Sequence, residues 1–238
     1  MSKVRINLRI SRSGHASRRE ADRLLSAGRV TCLIDGKPVV LKPGDSVDED
    51  AVILIDGKEI SYQEKKYVIY YKPKGEVCTS AKADKRSILK SIKSDVSLTY
   101  AGRLDKDSQG LVLLTNDGEL NNNLMRARFE HEKEYVCKLD RAYDDDFLQR
   151  MSSGVPILDT VTRPCEVSAV DEVTFRIVLT QGLNRQIRRM CNALGYGVVD
   201  LKRVRIANLV LGDMKPGEQR DLTKDEIQQL LALTNNNE

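Results

Sequence analysis

Strand-like and helix-like segments alternate along the chain from Tyr62 onward. Runs rich in β-branched and aromatic residues, such as YVIYYKP and TFRIVLT, predict strands. GLVLLTN predicts a buried strand that ends at an Asn-Asp-Gly turn, and EYVCKLD predicts a strand with Tyr135, Cys137 and Leu139 on one face. The segments RSILKSI and GELNNNLMRA between them are helix-like. This order predicts a mixed α/β domain.

The segment QGLNRQIRRMCNALGYG predicts the most regular helix of the chain. Its apolar positions fall at i, i+3, i+4 and i+7, namely Ile187, Met190, Cys191 and Leu194. Gly195 is placed to end the helix. Arg185, Arg188 and Arg189 lie off the apolar stripe, beside the Gln-Gly loop. Spacing alone leaves two interpretations open: solvated arginines on a surface helix, or arginines that reach a buried carboxylate.

The first 30 residues predict a helical hairpin. Ser17 and Glu20 have the spacing of a capping box, so a helix should begin at Ser17 and end at Gly28 in a left-handed conformation. Gly14 should end a shorter helix before it. Four arginines, which we name the hairpin arginines, should project outward: Arg12, Arg18, Arg19 and Arg23. Short extended pieces with turn signals follow, which predict small strands.

Composition excludes several functional classes. The chain has 238 residues, 40% hydrophobic and 31% charged, and no apolar run approaches the ~18 residues of a membrane span. The N-terminal segment has no apolar core typical of a secretory signal, so we expect a cytoplasmic protein. Five cysteines without a C-x-x-C pair and two distant histidines argue against a zinc cluster and against a disulfide framework.

Positive charge is concentrated in two places. Residues 1 to 30 hold eight Lys or Arg against two acidic residues, and a second basic cluster lies between Asn184 and Arg205, on a chain whose net charge is +4. Two separated basic patches suggest a polyanion held at two points. Solvated helix faces are the alternative, and charge alone does not decide between them.

Several segments resemble known families. SRREADRLLSAGRV followed by DGKPV resembles the S4 RNA-binding domain over roughly residues 5 to 60. The segments YYKPKG, GRLDKDSQGLVLLTNDGEL, EKEYVCKL, GVPILDTVT and LTQGLNRQIRRMCNALGYGVVDLKRVRI, then GEQRDLT, resemble the RsuA-type pseudouridine synthases, most like their RluF branch. The resemblance implies an α+β protein with an S4-like RNA-binding domain at 1–60. A catalytic domain at 61–238 would follow, built on a largely antiparallel sheet.

The resemblance also implies the site residues. Asp105 would be the nucleophile, and Arg188 would pair with it. Tyr135 would pack against the flipped uracil and take part in removing the C5 proton, and Arg103 would help to hold the flipped nucleotide. Further RNA contacts would come from the hairpin arginines and from Gly102, Leu104, Arg185, Gln186 and Ile187.

The function expected from this resemblance is the isomerisation of uridine to pseudouridine in 23S ribosomal RNA, with a transfer RNA as an additional candidate substrate. The reaction involves no redox change or group transfer, so we expect no cofactor and no metal. We also expect a monomer without membrane contact. The alternative is a non-catalytic RNA-binding factor of ribosome assembly. Retention of Asp105, Tyr135 and Arg188 together favours the enzyme, although the route that Asp105 follows stays open.

Overall fold

The computed structural model describes residues 3–61, 63–81, 84–125 and 130–235. The chain forms two compact units. Unit 1 comprises Met1–Lys66 with the short pieces Ser94–Leu98 and Asn116–Gly118, and unit 2 comprises the rest. The main division therefore follows Lys66, whereas the predicted domain boundary at residues 60 and 61 stays a prediction.

Unit 1 begins with a helical hairpin and continues with short strands. Its elements are β1 (Lys3–Arg5), α1 (Ile6–Arg12), α2 (Arg18–Ser26), β2 (Val30–Ile34), β3 (Lys37–Val40), β4 (Ser46–Asp48), β5 (Ile53–Ile55) and β6 (Lys58–Glu59). Strands β2, β3, β5 and β6 form an antiparallel sheet in the order β3-β2-β5-β6, and β1 pairs with β4. Ile6, Ile10, Ala21 and Leu25 from the two helices belong to the core of this unit.

Local sequence signals explain the hairpin. The Ser17 hydroxyl accepts a hydrogen bond from the Glu20 backbone N–H at 3.2 Å, which caps α2 as predicted. Gly14 and Gly28 follow the two helices with φ of +80° and +68°, a conformation that costs glycine little. The hairpin arginines are exposed, as the sequence predicts.

Unit 2 holds the larger sheet. Its strands are β7 (Tyr67–Lys72), β8 (Thr99–Ala101), β9 (Gln109–Thr115), β10 (Lys133–Leu139), β11 (Pro156–Ile157), β12 (Thr160–Val161), β13 (Glu166–Ala169), β14 (Thr174–Leu179), β15 (Val198–Ile206), β16 (Leu209–Val210) and β17 (Gln219–Asp221). Its helices are α3 (Ile88–Ser91), α4 (Gly118–Met125), α5 (Asp145–Ser153), α6 (Gln186–Ala193) and α7 (Lys224–Asn235). The end of the predicted GELNNNLMRA helix lies outside the described residues.

The main sheet has the strand order β13-β14-β10-β15-β9-β7-β17, with β16 on β15 and β8 on β9. Within the described ranges, β9 and β15 form a parallel pair and the other pairs of this sheet are antiparallel. The fold is therefore the α+β architecture with a largely antiparallel sheet that the sequence predicts. The parallel pair places the start of β9 beside the middle of β15, because Gly110 is the register partner of Arg203.

Two apolar clusters form the core of unit 2. One contains Ile69 of β7, Leu113 of β9 and residues of α4 and α7. The other contains Cys137 of β10, Phe175 of β14 and residues of α5 and α6. In the described part of the chain, no helix has both the length and the apolar character that crossing a membrane requires.

Candidate active site

Asp105 lies in the loop that joins β8 to β9. We name residues 102–108 the Asp105 loop. Gly102 begins it with φ of +75°, and a Cβ there would stand 2.7 Å from the Met125 sulfur. The Ser108 N–H closes a turn on the Asp105 carbonyl at 3.1 Å. The loop is therefore short and tightly folded, and it presents Asp105 with 37% of its side chain exposed.

The cation beside Asp105 is Arg185. Its Nη1 lies 3.6 Å from Asp105 Oδ2 and 3.9 Å from Asp107 Oδ2. Arg185 precedes α6 in a left-handed conformation, with φ of 51°, which is uncommon for a non-glycine residue and typical of functional sites. The expected partner was Arg188, and this is a correction: no ion pair joins Asp105 to Arg188 within the residues described.

Arg188 instead binds the backbone of the loop. Its Nη2 donates to the Asp107 carbonyl at 3.0 Å and its Nη1 to the Val198 carbonyl at 3.1 Å. Arg188 follows Arg185 by three residues, so its side chain leaves the helix about one turn further along the axis. Its two hydrogen bonds fasten the Asp105 loop to the start of β15. Arg188 thus acts on Asp105 through the loop in this structure.

Other donors bind further carbonyls of the Asp105 loop. The buried ammonium of Lys72 donates to the Ser108 carbonyl at 2.7 Å. The Gly75 N–H donates to the Lys106 carbonyl at 2.8 Å. Arg203 Nη1 lies 3.5 Å from the Arg103 carbonyl. Three cationic side chains from different elements, Lys72, Arg188 and Arg203, therefore hold one short loop.

Tyr135 lies in a row of residues that crosses the sheet beside this loop. The register partners in successive strands are Ile177, Tyr135, Arg203, Gly110 and Lys72. Because register partners share a face of a sheet, the Tyr135, Arg203 and Lys72 side chains lie on the same face. Tyr135 is partly buried and packs against the second core cluster, as the alternation of EYVCKLD predicts.

Burial shifts the pKa values of the groups around the loop. It lowers the pKa of the Lys72 ammonium, although nearby thiol and carboxyl groups, Asp105 among them, act against this shift. Burial also raises the pKa of the Cys78 thiol, whose sulfur accepts a hydrogen bond from the Leu104 N–H at 3.4 Å. On β10, burial and then the charge of Arg203 lower the pKa of Lys133 to about 8. The site is thus rich in desolvated cationic groups.

The structure divides the predicted RNA contacts into exposed and buried residues. Arg103 and Arg185 are exposed and can meet a ligand. Leu104, Gln186 and Ile187 are 7%, 4% and 4% exposed, so we withdraw the direct RNA contact that was expected of their side chains. Leu104 and Ile187 lie inward because they are apolar, and the Gln186 side chain accepts a hydrogen bond from the Leu183 N–H at the start of α6.

Sequence reasoning missed Lys72 and Arg203. Each nevertheless carries a signal in the sequence. Lys72 ends YVIYYK, a strand whose six residues are all buried, and Arg203 follows Leu201 at the two-residue period of a buried face. A charged residue at an inward position of a strand indicates a special role. Within the described ranges, no group of three or more His, Cys, Asp or Glu side chains is placed to hold a metal ion.

Comparison with known proteins identifies the family of this chain. The sequence model of the family described as RNA pseudouridylate synthase matches residues 66–193. The dual-specificity RNA pseudouridine synthase RluF of Escherichia coli (strain K12) is 44% identical over 99% of this chain and 81% of its own length. The chain belongs to the RNA pseudouridylate synthase family. The family assignment suggested by the sequence motifs is confirmed.

Two further relatives extend the match. The ribosomal large subunit pseudouridine synthase B of Bacillus subtilis (strain 168) is 36% identical over 94% of each chain. A crystal structure of a pseudouridylate synthase superposes with a TM-score of 0.70 at 27% identity, covering 95% of this chain and 99% of that one. The chain is therefore an enzyme that isomerises uridine in RNA to pseudouridine. The alternative of a non-catalytic RNA-binding factor is set aside.

Proposed function

We propose that this enzyme isomerises a uridine of large-subunit ribosomal RNA, with Asp105 as its nucleophile. The observation that carries the proposal is the half-exposed Asp105 carboxylate, 3.6 Å from the exposed Arg185 guanidinium in a loop held by three cationic side chains. A nucleophilic carboxylate needs a nearby positive charge where RNA phosphates would otherwise repel it. Arg185 supplies that charge directly, and Lys72, Arg188 and Arg203 supply it through the loop.

The reaction fits these residue types. The N1–C1′ bond of uridine breaks, the C5–C1′ bond forms, C5 loses a proton and N1 gains one, so the reaction needs no oxidant, reductant or metal. The base must leave its stack to be reached, at a cost of a few kcal/mol that stacking and edge hydrogen bonds offset. We assign Tyr135 to packing against the flipped uracil and to removal of the C5 proton, and Arg103 to holding the flipped nucleotide.

The names of the relatives support the proposed substrate class. One relative is named for the large ribosomal subunit, and another is named a dual-specificity enzyme. We propose 23S ribosomal RNA as the main substrate and a transfer RNA as the second, in the cytoplasm and with the enzyme acting as a monomer. Both RNA classes present structured loops from which a uridine can be flipped.

We propose that unit 1 is an S4-like module that holds RNA phosphates with the hairpin arginines. These side chains are exposed, and so are the ion pairs described for them: Arg12 lies 3.9 Å from Glu49, and Arg23 pairs with Glu20 while 79% of its side chain stays exposed. Exposed pairs of this kind contribute little stability, so a phosphate can displace them.

The experiment compares pseudouridine maps of ribosomal and transfer RNA from cells with and without the gene, and from deleted cells that express the Asp105→Asn variant. We expect one 23S position to lose its pseudouridine in cells that lack the gene, and to regain it when these cells express the wild-type enzyme but not when they express Asp105→Asn. Loss confined to transfer RNA would overturn the ribosomal assignment. Modification restored by Asp105→Asn would overturn the nucleophile.

The purified Asp105→Asn enzyme provides the matched measurement. The substitution keeps the shape of the side chain and removes one negative charge, so the variant should bind the RNA as tightly as the unmodified enzyme or more tightly. It should form no pseudouridine in a single-turnover assay at saturating enzyme. Turnover within about tenfold of wild type would mean a barrier change of only ~1.4 kcal/mol, which is too small for the loss of a nucleophile.

A further inference from the structure

Arg203 occupies the centre of the sheet and is only 2% exposed. Its Nε donates to the Leu111 carbonyl at 2.8 Å, and its Nη1 lies 3.5 Å from the Arg103 carbonyl. Its Nη2 is buried and has no hydrogen-bond partner among the described residues. No carboxylate forms an ion pair with Arg203 in that part of the chain. A buried charge held only by backbone carbonyls is unfavourable for folding, so its presence calls for a reason other than stability.

The position of Arg203 connects the two halves of the site. On β10 its register partner is Tyr135, and on β9 its register partner is Gly110. Gly110 is the second residue after the Asp105 loop, so Arg203 stands between the strand that carries Tyr135 and the strand that the loop enters. The two carbonyls that its side chain contacts belong to the loop and to β9.

The strands are unusually close at this point. A Cβ on Gly110 would lie 2.2 Å from the Arg203 carbonyl oxygen, so only glycine permits the approach. A Cβ on Gly102, at the other end of the loop, would lie 3.9 Å from Arg203 Nη1. The Arg203 side chain therefore spans the distance from the β9 backbone to the first residues of the Asp105 loop.

We propose that Arg203 is a positioning residue that sets the place of Asp105 relative to Tyr135. Its guanidinium fixes the Arg103–Asp105 segment to β9 and β15, while its own backbone is paired with Tyr135. The inference rests on the proposed role of Asp105. Arg203 itself does not touch the substrate, since its side chain is buried beneath the loop.

The test uses the full chain with Arg203→Lys and Arg203→Met, and Arg220→Met as the control. Lysine retains the charge and the aliphatic stem but cannot hold two carbonyls with a planar fork. Arg220 lies on β17 of the same sheet and pairs with Glu226. Each variant is measured for its thermal midpoint, for RNA affinity, and for its single-turnover rate on an RNA that the unmodified enzyme converts.

We expect Arg203→Lys to stay folded and to bind RNA within about threefold of wild type, with a single-turnover rate lower by about 10- to 100-fold, since a misplacement near 1 Å can cost ~10² in rate. Arg203→Met should be slower than Arg203→Lys, and Arg220→Met should keep the wild-type rate. A normal rate in folded Arg203→Lys would overturn the proposal, as would a loss that appears in RNA affinity and not in rate.

The same assays separate this inference from the proposed function. If Asp105→Asn is inactive while Arg203→Lys turns over normally, the nucleophile stands and the positioning role fails. If Asp105→Asn is active, the nucleophile itself is wrong and the Arg203 variants have nothing to position. A rate loss in Arg203→Lys no greater than in Arg220→Met would identify a general structural role and would also overturn the proposal.

Discussion

Gly110→Ala should be one of the most damaging single-methyl changes in unit 2. Gly110 has φ of +111°, and an added Cβ would stand 2.2 Å from the Arg203 carbonyl oxygen and 2.7 Å from the Arg203 nitrogen. Both atoms belong to the backbone, so no side-chain rotation relieves the clash. The strands β9 and β15 must move apart if an alanine is to fit.

Two contributions set the cost of this change. Placing a non-glycine residue at such a φ costs about 1 to 3 kcal/mol. The β9–β15 ladder has two register pairs, Lys202 with Gln109 and Arg203 with Gly110, and separating the strands weakens both, at about 1 kcal/mol for each hydrogen bond that breaks. The total of about 3 to 5 kcal/mol corresponds to a decrease of about 6 to 20 °C in the midpoint for a domain of this size.

Thermal unfolding followed by circular dichroism measures this decrease, and Gly118→Ala is the control. Gly118 has no atom within 4 Å of an added Cβ and no positive φ, and it is the first residue of α4, where alanine is compatible with the helical backbone. The control should unfold at the wild-type temperature or slightly above it. A Gly110→Ala midpoint within about 2 °C of wild type would refute the reasoning, because a clash and a strained φ together cannot cost so little.

Three further predictions concern charge. Arg188→Ala should lower the single-turnover rate by about 10- to 100-fold, because the Asp105 loop loses its hydrogen bond at the Asp107 carbonyl. Arg188→Lys should recover part of that rate. If the alanine variant has a normal rate at saturating RNA, Arg188 is a phosphate contact instead. Replacing the hairpin arginines with glutamine should weaken RNA binding and leave the rate at saturating RNA unchanged. The slope of log affinity against log salt concentration should decrease in magnitude by about 0.7 to 0.9 for each phosphate that is no longer neutralised. An unchanged slope would refute RNA docking by the hairpin. The pKa of Lys133 falls from 10.5 to about 8 on folding. At pH values between these two pKa values the unfolded chain binds more protons than the folded chain, so the free energy of unfolding should rise with pH in this range. Urea titrations at pH values near 8 and 10 measure this rise in unfolding free energy, which should be smaller for Lys133→Met than for wild type. An equal rise in the two proteins would exclude Lys133 as its source.

The sequence predicts the individual elements of the site well because the signals for them are local. The cap at Ser17, the apolar stripe of α6 and the alternation around Tyr135 depend on spacing within one segment, and the structure confirms each of them. The loop position of Asp105 also follows from its turn residues and the buried strand after it. These features need no knowledge of the rest of the chain.

The partner of Asp105 could not be predicted in the same way. Arg185 and Arg188 are three residues apart at the start of one helix, and their spacing does not determine which of them reaches the carboxylate. The left-handed φ of Arg185 and the distant carbonyls of Asp107 and Val198 decide it. Lys72 and Arg203 were missed for a related reason. Their inward strand positions mark them as unusual, but the loop carbonyls that they contact belong to a distant segment of the chain.

The choice of carbonyls as partners for the buried cations has an electrostatic consequence. If carboxylates paired with Lys72, Arg188 and Arg203, the added negative charges would cancel the field of these cations at Asp105 and would repel the phosphates of an incoming RNA. Carbonyl oxygens satisfy part of the hydrogen-bonding capacity and leave the net charge in place. The buried Arg188 Nε and Arg203 Nη2, which have no hydrogen-bond partner among the described residues, are the cost of this arrangement, on the order of 1 to 3 kcal/mol each. This arrangement lowers the stability of the loop and keeps positive charge beside Asp105, the residue proposed as the nucleophile.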